Sequence, residues 1–462
     1  MIVGVCLLVV YLPVLTTRYA FADDYRLLSP QWTGFARADI GDGRPLFSLG
    51  VSIAYRLAGG IRGVAALRLL SVLAIVLAAG ALVVQLGAWG WGRLARVGVA
   101  VSVGAAPTFQ ALASQGFNFV APWALVLALL AAWVVERSGG AWLAGALLTA
   151  SVVMYQSATM LYWVVPLVLT VGSGQDLREL GRRYRMAAVP GAAAMTVGFL
   201  AWRLGGLFFP RAAARQHMSF DLANKASWYW STMLPRAVDV FSFTGRTVVV
   251  VAVLTVVALG VFVAVKGSWS QRAFIALLSL ALVVVAAAPS LATGETWASY
   301  RSMVALMPYL LVLTALALRA LSRAVLGPRG SMPALAVLGA LFAVALGVRA
   351  SDTVANEVAR PQRRELGVVR SVLAAVPAGA TIYVVPASWR DTLAHTVSYD
   401  EFGLPTSEHS GEIEPIFYRA AGELRPQWRG SVVVVPSAAA APAGAKVIDM
   451  GAVLRSARKH DG

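Results

Sequence analysis

Apolar residues run along this chain in long blocks instead of recurring at the spacing of one helix face. From residue 2 to residue 348 these blocks alternate with short polar breaks, and many are long enough to cross a hydrocarbon layer, which takes roughly 20 residues. A helix placed on each block gives spans near residues 2–17, 62–88, 97–114, 119–135, 141–155, 158–172, 186–208, 247–265, 273–290, 302–320 and 332–349, about eleven crossings in all. After residue 350 the pattern changes. A helical stretch from about Val354 to Ala375 stops at Pro377 and Gly379, and short β-type runs follow at Thr381–Val385, Ser431–Val435 and Lys446–Ile448. The pattern predicts an all-α polytopic membrane domain over residues 1–349 and a small α/β domain over 350–462.

Composition agrees with a bilayer setting. The 462 residues are 58% hydrophobic and 13% charged, with a mean hydropathy of +0.71. The net charge of +17 would suit nucleic acid on a soluble protein, but here the basic residues fall in bursts between spans, so no nucleic-acid partner is expected. The bursts read as topology signals: Arg93 and Arg96; Arg178, Arg182, Arg183 and Arg185; Lys266 and Arg272; Arg319, Arg323 and Arg329. All four lie in the cytoplasm if the N-terminus does and each span crosses once. Residues 18–61, 115–118, 209–246, 291–301 and the C-terminal domain then face outward, and they carry Asp23, Asp24, Asp39, Asp42, Asp221, Asp239 and Glu295. Ala20-Phe21-Ala22 resembles a signal-peptidase site, though no basic residue precedes the first span, and Asp23 emerges outside either way. The single cysteine, Cys6, excludes a disulfide framework, and histidines scattered at 217, 395, 409 and 460 offer no metal cluster.

The candidate chemistry lies in the first outward loop, Tyr19-Ala20-Phe21-Ala22-Asp23-Asp24-Tyr25-Arg26, followed by Gly43-Arg44-Pro45 and an apolar stretch from Leu46 to Leu57. Asp23 and Asp24 could simply cap the next helix. Alternatively, adjacent carboxylates near low-dielectric lipid hold protons more tightly, which suits one of them to act as a base. In a helix consecutive side chains point about 100° apart, so one would react while the other organises Arg26, an acceptor or a metal. Asp24 is the favoured base, without a decisive reason. Pro45 suits a first helical position, and Arg44 at that helix start suits an anion such as a phosphate or a lipid head group. The loop from Pro210 to Arg246 adds Arg211, Arg215, His217, Asp221 and Lys225, and then Trp228-Tyr229-Trp230, which fit either sugar stacking or an interfacial belt. Glu295, Tyr300 and Arg301 come from another outward loop, where Arg301 would either reach head groups or bind phosphate.

An acidic pair just after the first span, an arginine at Arg26, Gly43-Arg44-Pro45 before an amphipathic stretch, and Met154-Tyr155-Gln156-Ser157 together resemble the GtrII-type glucosyltransferases. These belong to the GT-C superfamily of enzymes that use polyprenyl-phosphate sugars. The resemblance covers roughly residues 1–350 in span layout and rests on short motifs. It implies a GT-C-like fold, an inverting transferase of the inner membrane, and a polyprenyl-phosphate hexose donor such as a glucose carrier. It also implies a glycan or lipid-linked acceptor on the outer face, and Asp23 or Asp24 as catalytic base. Arg44, Arg301 and Arg26 would then bind the donor phosphate, and Tyr155, Gln156, Trp228, Tyr229, Trp230 and Glu295 would shape the substrate site. No cofactor is indicated, and a divalent metal stays open. A flippase or transporter of lipid-linked sugars is the alternative, although such proteins usually place ionisable residues near mid-membrane.

Overall fold

The structure, a computed structural model, describes residues 1–29, 32–210, 217–241, 246–397, 401–424 and 428–460; Arg211 and Arg215 lie outside the described residues. The apolar blocks form helices, because backbone groups in lipid must be satisfied within their own segment. Among the described residues five runs are long and apolar enough to cross a membrane: Ile61–Ala88, Gly116–Ser138, Leu177–Phe208, Thr247–Ala264 and Leu306–Ala374.

Eleven uninterrupted crossings are not what the chain forms. The first block breaks at Tyr11 into Ile2–Val10 and Leu12–Thr16. The third bends by 55° between Arg93–Gly104 and Pro107–Ser114, where proline cannot donate to the preceding turn. The sixth divides into Gln156–Thr159 and Leu161–Ser173, and Ala141–Met154 and Trp269–Val285 are apolar but shorter. The last two expected spans are one run, Leu306–Thr353, interrupted at Gly327, whose φ of 67° and ψ of 173° are not helical. The chain doubles back there: Arg319 donates to the Trp89 carbonyl at 2.6 Å, whereas Gly339, beyond the break, packs on Gly98 in the helix that follows Trp89.

The basic loops gather at one end of the bundle. Arg319 reaches Trp89, Trp89 packs on Gly172, and the Lys266 amide donates to the Gln175 carbonyl at 3.3 Å. The first loop and the segment around Glu295–Arg301 collect at the other end, beside the C-terminal residues.

Three strands, β1 (Thr381–Val385), β2 (Ser431–Val434) and β3 (Lys446–Asp449), form a parallel sheet in the order β2-β1-β3. Thr381 pairs with Ser431 and Ile382 with Lys446. Parallel neighbours need a crossover, and Ser410–Leu424 supplies the one between β1 and β2. The helical path of the final span runs on through Val354–Ala359 into Arg360–Ala374, so no linker marks residue 350. The core under the sheet, with Leu366, Val369, Ile382, Ile413 and Phe417, also takes in Ala20, Tyr25 and Ile61 from the first loop. The fold of the C-terminal residues is therefore built around the acidic loop. Tyr25→Ala removes a fully buried ring from this shared core and is expected to cost about 3 kcal/mol. Limited proteolysis should then cut residues 360–460 in the variant while the membrane helices stay protected.

Candidate active site

The acidic pair is divided by the backbone just before it. Ala22, the only non-glycine with positive φ among the described residues, has φ 45° and ψ −114° and stands at the start of the short helix Asp23–Leu27. Its amide donates to Thr406 Oγ1 of the C-terminal domain at 3.2 Å, which helps hold a conformation that an L side chain rarely adopts. From that start Asp24 turns inward and Asp23 outward.

Asp24 has no exposed surface. Its carboxyl accepts from the Phe21 amide at 3.0 Å, from the Phe117 amide at 3.0 Å and from the Tyr55 hydroxyl. Burial pushes the Asp24 carboxyl above the ordinary carboxylate range, while the Tyr55 hydrogen bond, the Arg68 charge and the two amides pull the other way. Arg68, also fully buried, donates to the carbonyls of Val14, Thr17 and Tyr19 and so ties the end of the first block to Ile61–Ala88.

Asp23 instead lines a cavity of about 1230 Å³. That exceeds the roughly 300–1,000 Å³ of most small-ligand pockets. Arg26, Arg44 and Arg301 share its wall with Asp23, Asp39, Asp42, Glu295 and Glu412. Another wall is apolar: Met195, Gly198, Phe199 and Trp202 follow one face of Leu177–Phe208, with Val152 and Met218 beside them. A cavity that is charged on one side and apolar on another suits an amphiphile with an anionic head.

Arg44 precedes Pro45 at the start of Pro45–Ala58, the position the sequence pattern predicts. Its Nε donates to Gln156 Oε1 at 2.9 Å and its guanidinium lies 5.0 Å from the centre of the Tyr155 ring. The Gln156 amide donates in turn to the carbonyls of Asp42 and Gly43 at 3.2 and 3.1 Å. Two motifs far apart in sequence thus form one wall. They can project there because Tyr155, with φ −157° and ψ 100°, breaks the helix between Met154 and Gln156. Gly43 is required on two counts: its φ is 77°, and a Cβ would lie 2.6 Å from the Trp202 backbone.

Arg301 is held at the rim by Glu401, whose carboxylate accepts from Arg301 Nε at 3.0 Å, from Ser299 Oγ at 2.6 Å and from the Tyr300 amide at 2.6 Å. The guanidinium stacks 4.8 Å from the Trp297 ring centre and 5.5 Å from that of Phe117. Glu295 lines the cavity, and its backbone carbonyl anchors Lys225 Nζ; burial pulls that amine below the usual lysine range.

The aromatic triplet lies elsewhere. None of Trp228, Tyr229 and Trp230 is among the residues lining the cavity. Trp228 and Tyr229 are buried, the Tyr229 hydroxyl donates to the Val283 carbonyl at 2.9 Å, and Trp230 is 48% exposed on the outer surface. Tyr229 thus packs toward Trp269–Val285, and Trp228 lies under Lys225 Nζ, 5.0 Å from its ring centre.

Glu401 and Glu412 carry no sequence signal of their own, since neither belongs to a motif and both come from the C-terminal domain. Among the described residues no three His, Cys, Asp or Glu side chains converge as a metal ion would require.

No family model and no curated protein matches this sequence. Among solved structures it is similar to the crystal structure of ArnT from Cupriavidus metallidurans bound to undecaprenyl phosphate, at 15% identity and a TM-score of 0.45. The match covers 94% of this chain and 89% of that one. A likeness at this level leaves the chemistry to the side chains themselves.

The two aspartates should separate in one experiment. Asp24→Ala leaves the Phe21 and Phe117 amides and the Tyr55 hydroxyl buried without their acceptor, about 1–3 kcal/mol each, so its melting temperature in detergent should drop sharply. Asp23→Ala should melt like the wild type.

Proposed function

We propose that this chain is an inverting GT-C glycosyltransferase of the GtrII type that moves a hexose from a polyprenyl-phosphate donor to a glycan or lipid-linked acceptor. The carrying observation is the composition of one cavity, in which Asp23 shares a wall with three arginines and faces an apolar helix surface. In this reading the basic loops lie in the cytoplasm, and the cavity opens on the outer face of the inner membrane. The N-terminus is cytoplasmic and the C-terminal domain is extracytoplasmic.

The donor's isoprenoid chain lies along Met195, Phe199 and Trp202, and its phosphodiester meets Arg44 and Arg301, with Arg26 nearby. Tyr155 and Gln156 hold Arg44 in place, and Glu295 faces the sugar. Asp23 takes the proton of the acceptor hydroxyl as its oxygen attacks the anomeric carbon. The bond from that carbon to the phosphate oxygen breaks, and polyprenyl phosphate leaves with the electron pair. A phosphate leaving group needs no general acid. A single base and a single displacement invert the anomeric centre, whereas retention would call for a carboxylate nucleophile at the sugar carbon. Asp23 is preferred to Asp24 as the base because the Asp24 oxygens are already engaged by buried donors.

Purified protein with a polyprenyl-phosphate glucose and envelope acceptor fractions should release polyprenyl phosphate and yield a glycosylated product. Asp23→Asn should lower the rate by about 10²–10⁴-fold with unchanged melting. Full activity in Asp23→Asn, or movement of the lipid-linked sugar across proteoliposomes with no covalent product, would rule this reading out.

A further inference from the structure

Arg26 sits between two carboxyl groups supplied by different parts of the chain. Asp23 Oδ1 lies 3.8 Å from its Nη1, and Glu412 Oε1, at the start of Ser410–Leu424 in the C-terminal domain, lies 3.2 Å from its Nε. The fit is close: a Cβ on Gly411 would stand 3.1 Å from Arg26 Nη2. Glu412 is 4% exposed, lines the same cavity, and its Oε2 has no hydrogen-bond partner among the described residues. His409 also lines this cavity, and several charged groups on elements packed against this helix have partners of their own. Asp24 is enclosed by its own donors, and Glu365 accepts from the Thr406 and Ser407 amides. Arg370 pairs with Glu423, and His409 lies 3.4 Å from Glu408. Burial first, and then the charge of Asp23, push the Glu412 carboxyl up to about 8 against the pull of Arg26, with Asp24 adding to the rise.

We infer that Glu412 is a positioning residue for the transfer reaction: once neutral it releases Arg26 to the donor phosphodiester, so that donor binding takes up one proton at Glu412. The inference rests on the donor class proposed above. A phosphodiester carries one fixed negative charge and has no proton to lose in the neutral to alkaline range. Placed beside Arg26, that charge competes with Glu412 for the guanidinium and favours the neutral acid. Linkage is reciprocal, so a proton on Glu412 tightens donor binding by the same factor that the donor tightens the proton. At a pH above about 8 an ionised Glu412 keeps Arg26, and the donor must displace it.

The test is calorimetric titration of the full-length protein with a short-chain polyprenyl-phosphate glucose, in two buffers of different ionisation heat, one pH unit below and one above that value. The wild type should bind about tenfold more weakly at the higher pH and take up close to one proton there, with the loss in KM rather than kcat. Glu412→Gln, which imitates the neutral acid, should bind equally at both pH values. Absence of proton uptake by the wild type, or the same pH slope in Glu412→Gln, overturns the inference, and the wild-type proton count decides even if the variant does not fold. An infrared titration of the protonated carboxyl band without ligand separates the two readings. Binding without the slope defeats only the role of Glu412; a band that titrates as expected in a protein that binds no phosphodiester lipid defeats the proposed donor, and this inference with it.

Discussion

Asp24 is a carboxyl group closed off from solvent, and the mouth of the protein is assembled on it. Its oxygens draw together the Phe21 amide of the first loop, the Phe117 amide 93 residues away, and the Tyr55 hydroxyl from a third segment. A buried acid without these donors would be strongly unfavourable. Two of the donors are backbone amides, that of Phe117 in the first turn of Gly116–Phe119, where an intrahelical partner is missing, and the third is a buried hydroxyl, so each side of the arrangement satisfies the other. Arg301 stacks on the ring of the same Phe117, which carries the constraint from the acidic loop to the opposite rim.

With Asp24 committed to construction, its neighbour is left facing the cavity. The strained turn at Ala22 makes the division, and the C-terminal domain sustains it through Thr406. That domain reaches the site twice more, through Glu401 on Arg301 and Glu412 on Arg26. Two of the three arginines in the wall are thus held by carboxylates that lie outside the membrane helices. The C-terminal residues are a structural part of the cavity.

Much of this was legible in the amino-acid pattern. Apolar run length locates the helical blocks, though not which of them are long enough to cross, and the short β-type runs in the tail locate the three strands to within a residue. The breaks were not legible, since the bend at Pro107 and the reversal at Gly327 depend on what each segment packs against. Arg44, Tyr155 and Gln156 could be picked out through short motifs, and the structure brings them into contact. Which aspartate faces the cavity could not be read, because a backbone angle at Ala22 and an amide on a distant helix decide it. The aromatic triplet suggested sugar stacking by residue type, yet type does not fix which way a helix turns. Glu401 and Glu412 were beyond reach because nothing local marks a carboxylate whose partner lies far away in the chain.

The most direct measurement is a structure of the protein with a non-transferable polyprenyl-phosphate sugar bound. The account predicts the phosphate against Arg44 and Arg301, the anomeric carbon open to Asp23, and Asp24 still enclosed by Phe21, Phe117 and Tyr55. A sugar contacting Asp24 with its hydrogen bonds opened, or a lipid phosphate bound at the basic end of the bundle, would contradict it.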